Sequence, residues 1–305
     1  MLCHKAFVSQ RRPFFSSLSG LPQARERDGR LHCGAMDAPP QKRAKFSPNA
    51  CRALLASKGR LPDLSKLSKS VQVLPASQAV RDQFRFSPKF VGIDIETHAL
   101  VPPSKSPAWR TDEFGILTKA SEEALAYLRI VQLGWTYSCE GAPVIKTKLI
   151  KPVGFAIEPG ATVKHRISHE EALENGVPIR DALCDLFSDV TRAISEGHRL
   201  CAHHLGFDAG IILREMERAG LNSYVDKWVQ VVGGGLCTMD PSIGHWVRQQ
   251  IGAWDVPRNI PLRLRDAIAF LLPDSADLLS HHHHAGNDAH MHVLFAQELH
   301  RRANL

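Results

Sequence analysis

Asp94-Ile95-Glu96 is the tripeptide of this chain with the clearest chemical content. In an extended strand alternate side chains share a face, so both carboxylates point the same way. Two placements satisfy that geometry. At a strand end in solvent the pair is unremarkable. On a partly buried face the two anions repel each other and lose hydration, which is costly. A divalent cation offsets that cost, and hard oxygen ligands favour Mg²⁺ or Mn²⁺. Two more acids stand in suggestive contexts. Asp208 closes Cys201-Ala202-His203-His204-Leu205-Gly206-Phe207-Asp208, and Asp288 follows His283-His284-Ala285-Gly286-Asn287. Each also reads as an acid in the first turn of a helix, favoured there by the helix dipole.

Elements must exist to hold these groups. Lys89–Glu96 alternates β-branched with small or polar residues after Pro88 and reads as a strand. Arg129–Tyr137 and Pro143–Ile150 are two more, giving an antiparallel meander. Pro178–Glu196 has Ile179, Leu183, Leu186, Phe187, Val190 and Ile194 at helical spacing. Leu200–His203 reads as a short buried strand. Gly206–Arg218, Leu262–Leu272 and Ala285–Arg301 read as helices. Strands first, then alternating helix and strand, define an α/β domain with a mixed sheet. Residues 100–126 form a long connection with Pro102, Pro103 and Pro107 and a polar helical piece around Ser121–Tyr127. Connections of that length are lids or inserts.

Charge divides the chain. Residues 1–89 carry 17 Lys and Arg against 5 Asp and Glu, a balance of +12, while residues 90–305 carry 21 against 26, a balance of −5. The expected organisation is a basic, largely disordered leader over 1–85 and a catalytic domain over 86–305. The leader is rich in Ser, Pro, Arg and Lys and lacks a sustained apolar period, with a short helix expected near Cys51–Lys58. Lys42-Arg43-Ala44-Lys45 suits a nuclear address or a loose nucleic-acid contact. Arg11, Arg12, Arg25, Arg27 and Arg30 among serines suit instead a transit peptide for the mitochondrion or another organelle. No run nears the roughly 18 apolar residues of a membrane helix, so no membrane partner is expected. The 7 cysteines are odd in number and include no Cys-x-x-Cys, which supports neither a disulfide framework nor a cysteine zinc site.

The motifs carry a resemblance. Phe90–Thr97 (FVGIDIET) resembles the first motif of the DEDDh 3′–5′ exonucleases, the family of the bacterial DNA polymerase III proofreading subunit, RNase T and oligoribonuclease. Ala202–Asp208 (AHHLGFD) resembles the second motif and His283–Ala289 (HHAGNDA) the third. Arg129–Gly134 (RIVQLG) resembles the family's second strand. Lys164–Glu170 (KHRISHE) resembles its His-Gly-Ile-Thr-x-Glu turn. The resemblance spans about 90–303 in the family's motif order. The sequence departs from the family at His204, where Asn is usual, at Arg166, where Gly is usual, and in the longer 100–126 insert.

The resemblance implies an RNase H-like α/β fold, a mixed sheet flanked by helices. It implies two divalent ions, Mg²⁺ or Mn²⁺, held by Asp94, Glu96, Asp208 and Asp288, with His283 as general base. Glu96, Thr97, His98 and Phe207 would meet the terminal nucleotide. The activity implied is 3′–5′ hydrolysis of single-stranded DNA or RNA ends, releasing nucleoside 5′-monophosphates. Some relatives dimerise, so a homodimer is compatible with it. Two other readings stand beside it: a catalytically silent nucleic-acid-binding or scaffold module, and a phosphodiesterase without polymer specificity. The run His281, His282, His283 and His284, with His290 and His292, also reads as a zinc tract. Four adjacent residues cannot all point at one ion, which weighs against that.

Overall fold

A computed structural model describes residues 75–85, 88–100, 127–250 and 262–305. The helix expected near Cys51–Lys58, the basic tetrapeptide Lys42–Lys45 and nearly all of the 100–126 insert lie outside the described residues.

Five strands form one sheet: β1 (Phe90–Thr97), β2 (Ile130–Cys139), β3 (Ala142–Leu149), β4 (Arg199–Ala202) and β5 (Leu236–Cys237). Their order is β3-β2-β1-β4-β5. β1, β2 and β3 pair antiparallel, as the meander predicts, and β4 and β5 run parallel to β1. Helices α1 (Gln78–Phe84), α2 (Pro159–His165), α3 (His169–Asn175), α4 (Ile179–Ser195), α5 (Leu205–Arg218), α6 (Asn222–Gly233), α7 (Pro241–Gln250), α8 (Leu264–Leu271) and α9 (Ala285–Ala303) flank it. A 3₁₀ segment, Pro273–His281, joins α8 to the histidine run. The mixed sheet with flanking helices is the RNase H-like α/β arrangement that the motifs imply.

Period-two alternation in β1 sorts its residues between two cores. Val91, Ile93 and Ile95 join a cluster with Leu183, Leu186 and Val190 of α4 and Ile211 and Ile212 of α5. On the other face, Phe90 joins a cluster built from α1, α7, α8 and α9, including Trp246, Ile268 and Phe295. α1 falls inside the expected leader, yet Val80 and Phe84 are buried in this second cluster. The Ser77 hydroxyl caps it by accepting from the Val80 amide at 3.3 Å. The folded region therefore begins before residue 85.

α9 lies unusually close to the sheet. Gly92 on β1 and Gly134 on β2 face it, and a Cβ on Gly134 would fall on the backbone of Ala285 and Gly286. The Gln132 Oε1 accepts from the Ala285 amide at 2.8 Å and pins the start of α9 to β2. This approach sets the position of Asp288 one turn later. Gly134→Ala is therefore expected to lower stability by about 1–3 kcal/mol through overpacking. Chemical denaturation that gave an unchanged midpoint would show that α9 does not rest on the sheet here.

Candidate active site

Gly92, Asp94 and Glu96 share the β1 face that α9 covers. β4 pairs with β1 only from Phe90 to Gly92, so the end of β1 runs past its shorter neighbour. Asp208 enters that gap from the first turn of α5. It is 4% exposed, and the Ile95 amide and its own amide hydrogen-bond its carboxylate. Asp288 comes from the first turn of α9, where its Oδ2 accepts from the His283 amide at 3.0 Å. Four carboxylates from three distant segments thus share one corner. The Asp94 and Glu96 side chains are 16% and 12% exposed.

Burial raises all four pKa values, and repulsion between the carboxylates adds to it at Asp94, Glu96 and Asp208. Desolvation is the largest cause at each. Asp94 lies well above the usual carboxylate range, with further repulsion from Asp288, Asp208 and Glu96. Glu96 is pushed to about 8, Asp208 to about 8 and Asp288 to about 7. The second Asp288 oxygen, Oδ1, is buried without a hydrogen-bond donor. Ligand atoms of Glu96, His283 and Asp288 all lie within 4.8 Å of one another. A donorless buried oxygen in a crowd of hard oxygens fits a divalent cation of the Mg²⁺ or Mn²⁺ class.

His283 takes a left-handed backbone conformation, φ 64°, which points its amide at Asp288. Its Nδ1 lies 3.9 Å from Glu96 Oε1. Burial lowers its pKa to about 4, reinforced by His282, Lys164, His165 and Arg265. The ring is neutral at pH 7, as a proton acceptor must be, but it is a weaker base than a free imidazole near 6.5. His282 tilts against it, with ring centroids 4.5 Å apart, and its Nδ1 pairs with the Leu279 carbonyl at 2.9 Å. The histidine run therefore diverges rather than converging on one ion.

The expected nucleotide contacts divide. Phe207 is half-buried beside Asp208 and stacks on His204, 5.6 Å between centroids and 8° between planes. Thr97 donates to the Ala99 carbonyl at 2.8 Å and shapes the turn after β1. His98 does not face the cavity. It is 5% exposed, its Nδ1 accepts from the Arg129 amide at 3.2 Å, and its ring packs between Tyr127 and Phe155. In place of the expected nucleotide contact, His98 packs against Tyr127 and Phe155.

Two residues have roles that the sequence reading did not assign. Gln132 pairs with Glu96 across the sheet and anchors α9. His292 follows Asp288 by four residues, so it shares that helix face. It is 3% exposed, and its Nδ1–H donates to the Ile93 carbonyl at 2.8 Å. Its Nε2 sits 3.8 Å from Asp94 Oδ1, and burial holds its pKa near 3. It therefore contributes a neutral, lone-pair-bearing edge behind Asp94 rather than an ion pair. Beside the carboxylates opens a cavity of about 480 Å³, lined by Lys164, Arg263, Leu264, Arg265, His282, His283, Asp288 and Met291.

No protein-family model matches this chain, and no curated protein matches it. Among solved structures, it is similar to Escherichia coli exonuclease I in complex with a dA16 oligonucleotide, at 16% identity and a TM-score of 0.49. It is similar to the zinc-bound E. coli exonuclease I–single-stranded DNA complex at 16% identity and a TM-score of 0.49. It is also similar to a moderately thermophilic exonuclease I from Methylocaldum szegediense, at 14% identity and a TM-score of 0.48. Each alignment covers 71% of this chain and 41% of the other.

The raised carboxylates make a pH prediction. The folded protein keeps protons that the unfolded chain, with carboxylates near 4, has already released. Stability therefore falls as pH rises through the folded values of 7 to 8. The neutral buried histidines act in the opposite sense, but only below about 6.5. In EDTA, the melting temperature is expected to be about 5 °C lower at pH 8 than at pH 6.5. Mg²⁺ or Mn²⁺ should recover most of that loss, and Asp288→Asn should shrink it. A flat melting profile between these pH values would mean that the carboxylates are not crowded.

Proposed function

We propose that this protein is a metal-dependent 3′–5′ exonuclease acting on single-stranded nucleic acid. One observation carries the reading: four carboxylates from three motifs meet in one buried corner with raised pKa values, and one Asp288 oxygen lacks any donor. A structural role does not call for so costly an arrangement.

In this reading Asp94, Glu96, Asp208 and Asp288 hold the cations. When bound, two cations supply the positive charge that stabilises the attacking and leaving oxygens of an in-line displacement at phosphorus. Burial on β1 and α5 fixes these carboxylates before substrate arrives. His283, neutral at pH 7, accepts the proton of the attacking water. The anionic phosphodiester beside its ring raises its basicity toward neutral pH. As water adds to phosphorus, the bond to the 3′-oxygen breaks, and that oxygen takes up a proton from solvent. The Phe207–His204 stack presents an aromatic face on which a splayed terminal base can lie. The product is a nucleoside 5′-monophosphate, and the substrate in this reading is a single-stranded DNA or RNA 3′ end.

The test uses matched 5′-labelled DNA and RNA strands with Mg²⁺ and with Mn²⁺. A ladder shortening from the 3′ end is expected. Loss of an outer-shell partner already costs 10–100-fold at metal sites, so Asp94→Ala and Asp288→Ala should each lose more than about 100-fold. His283→Ala should lose about 10²–10⁴-fold. Binding without cleavage of either strand under either metal would replace this reading with the silent nucleic-acid-binding module.

A further inference from the structure

The cavity beside the carboxylates has a second wall of opposite sign. Lys164 reaches it from the end of α2, and Arg263 and Arg265 from the start of α8. These elements are about 100 residues apart in sequence, yet three cations converge on one space. Among the described residues, Arg265 pairs with its neighbour Asp266 at 3.4 Å, Arg263 also acts on that carboxylate, and Lys164 makes no ion pair, so three cations face one local acid and the wall keeps a positive excess. Lys164 is close enough to lower the proton affinity of Glu96, and both Lys164 and Arg265 lower that of His283.

Simple neutralisation of the acids does not explain this wall. Were the cations there to pair with the carboxylates, they would sit within contact distance of them, yet among the described residues Arg265 pairs with Asp266 and none of the three pairs with Asp94, Glu96, Asp208 or Asp288. A cation bound by the carboxylates leaves Lys164, Arg263 and Arg265 with charge to spare. Three side chains around about 480 Å³ suit an anion larger than a lone scissile phosphate. Flexible, exposed Lys and Arg heads are the usual partners of a nucleic-acid backbone.

We propose that Lys164, Arg263 and Arg265 form a subsite for a non-scissile phosphate of the strand, next to the one being cleaved. The subsite rests on the exonuclease reading and adds a specificity to it. The protein would favour a polymer over a single phosphodiester, because only a polymer brings a second phosphate to this wall. The product monophosphate, which carries one phosphate, would gain little from it.

The test is a double substitution, Lys164→Gln with Arg263→Gln. Both side chains are exposed, so the fold should tolerate it. Lys151→Gln with Lys227→Gln, on exposed positions outside the cavity, removes the same net charge and serves as the control. Binding of fluorescein-labelled dT8 with Ca²⁺ is measured across salt concentrations. The cavity variant should flatten the slope of log affinity against log salt by about 1.4, the effect of two lost single-strand contacts. The control should not. With Mg²⁺, kcat/KM on dT8 should fall at least tenfold more than on thymidine 5′-p-nitrophenyl phosphate, which has one phosphodiester. Equal losses on the two substrates, or equal salt slopes in variant and control, would overturn the subsite. Failure of the unaltered protein to cleave either substrate would instead overturn the exonuclease reading, and the binding slopes would still decide the subsite.

Discussion

Asp94, Glu96, Asp208 and Asp288 repel one another in a corner where water cannot screen them, and the structure around them is arranged to tolerate that repulsion. β4 stops short, which frees the Ile95 amide for Asp208. His283 bends into a left-handed conformation so that its amide reaches Asp288. Strain of this kind costs of order 1–3 kcal/mol and persists where surrounding contacts enforce it. Gly92 and Gly134 let α9 approach closely enough to deliver Asp288 at all. What these contacts leave uncompensated is one Asp288 oxygen and four raised pKa values, and in the proposed reading a divalent cation would answer both.

The departures from the resembled motifs now have physical content. Arg166 stands where Gly is usual, and the backbone there remains left-handed, φ 65° and ψ 14°, with its amide bonded to the Thr162 carbonyl. The chain keeps the turn and bears the side-chain strain that Gly avoids. His204 stands where Asn is usual and becomes the stacking partner of Phe207. Neither change disturbs a carboxylate.

Elements with a strong period were legible in the sequence. The expected strand over 89–96 is Phe90–Thr97, and the expected helix over 178–196 is Ile179–Ser195. α2 and α3 were visible only as a resembled turn, because seven-residue helices such as PGATVKH and HEEALEN have too little length for a period. β5, two residues long, offers no local signal and exists by pairing with β4. α6 has Val225, Trp228 and Val232 at helical spacing, a signal that went unread. At the site, period two put Asp94 and Glu96 on one face, and the resemblance to the exonuclease motifs pointed to Asp208 and Asp288. The burial of His98 depends on Phe155, and the Gln132–Ala285 bond spans 153 residues, so local spacing could reveal neither.

The net charge of +7 joins two unlike parts, and the −5 of residues 90–305 includes the crowded acids. Their purpose is tested most directly by locating the cations themselves. Crystals soaked in Mn²⁺ and measured at the manganese absorption edge should show two anomalous peaks among Asp94, Glu96, Asp208 and Asp288. An empty carboxylate corner, or manganese held by the His281–His284 run instead, would contradict the account.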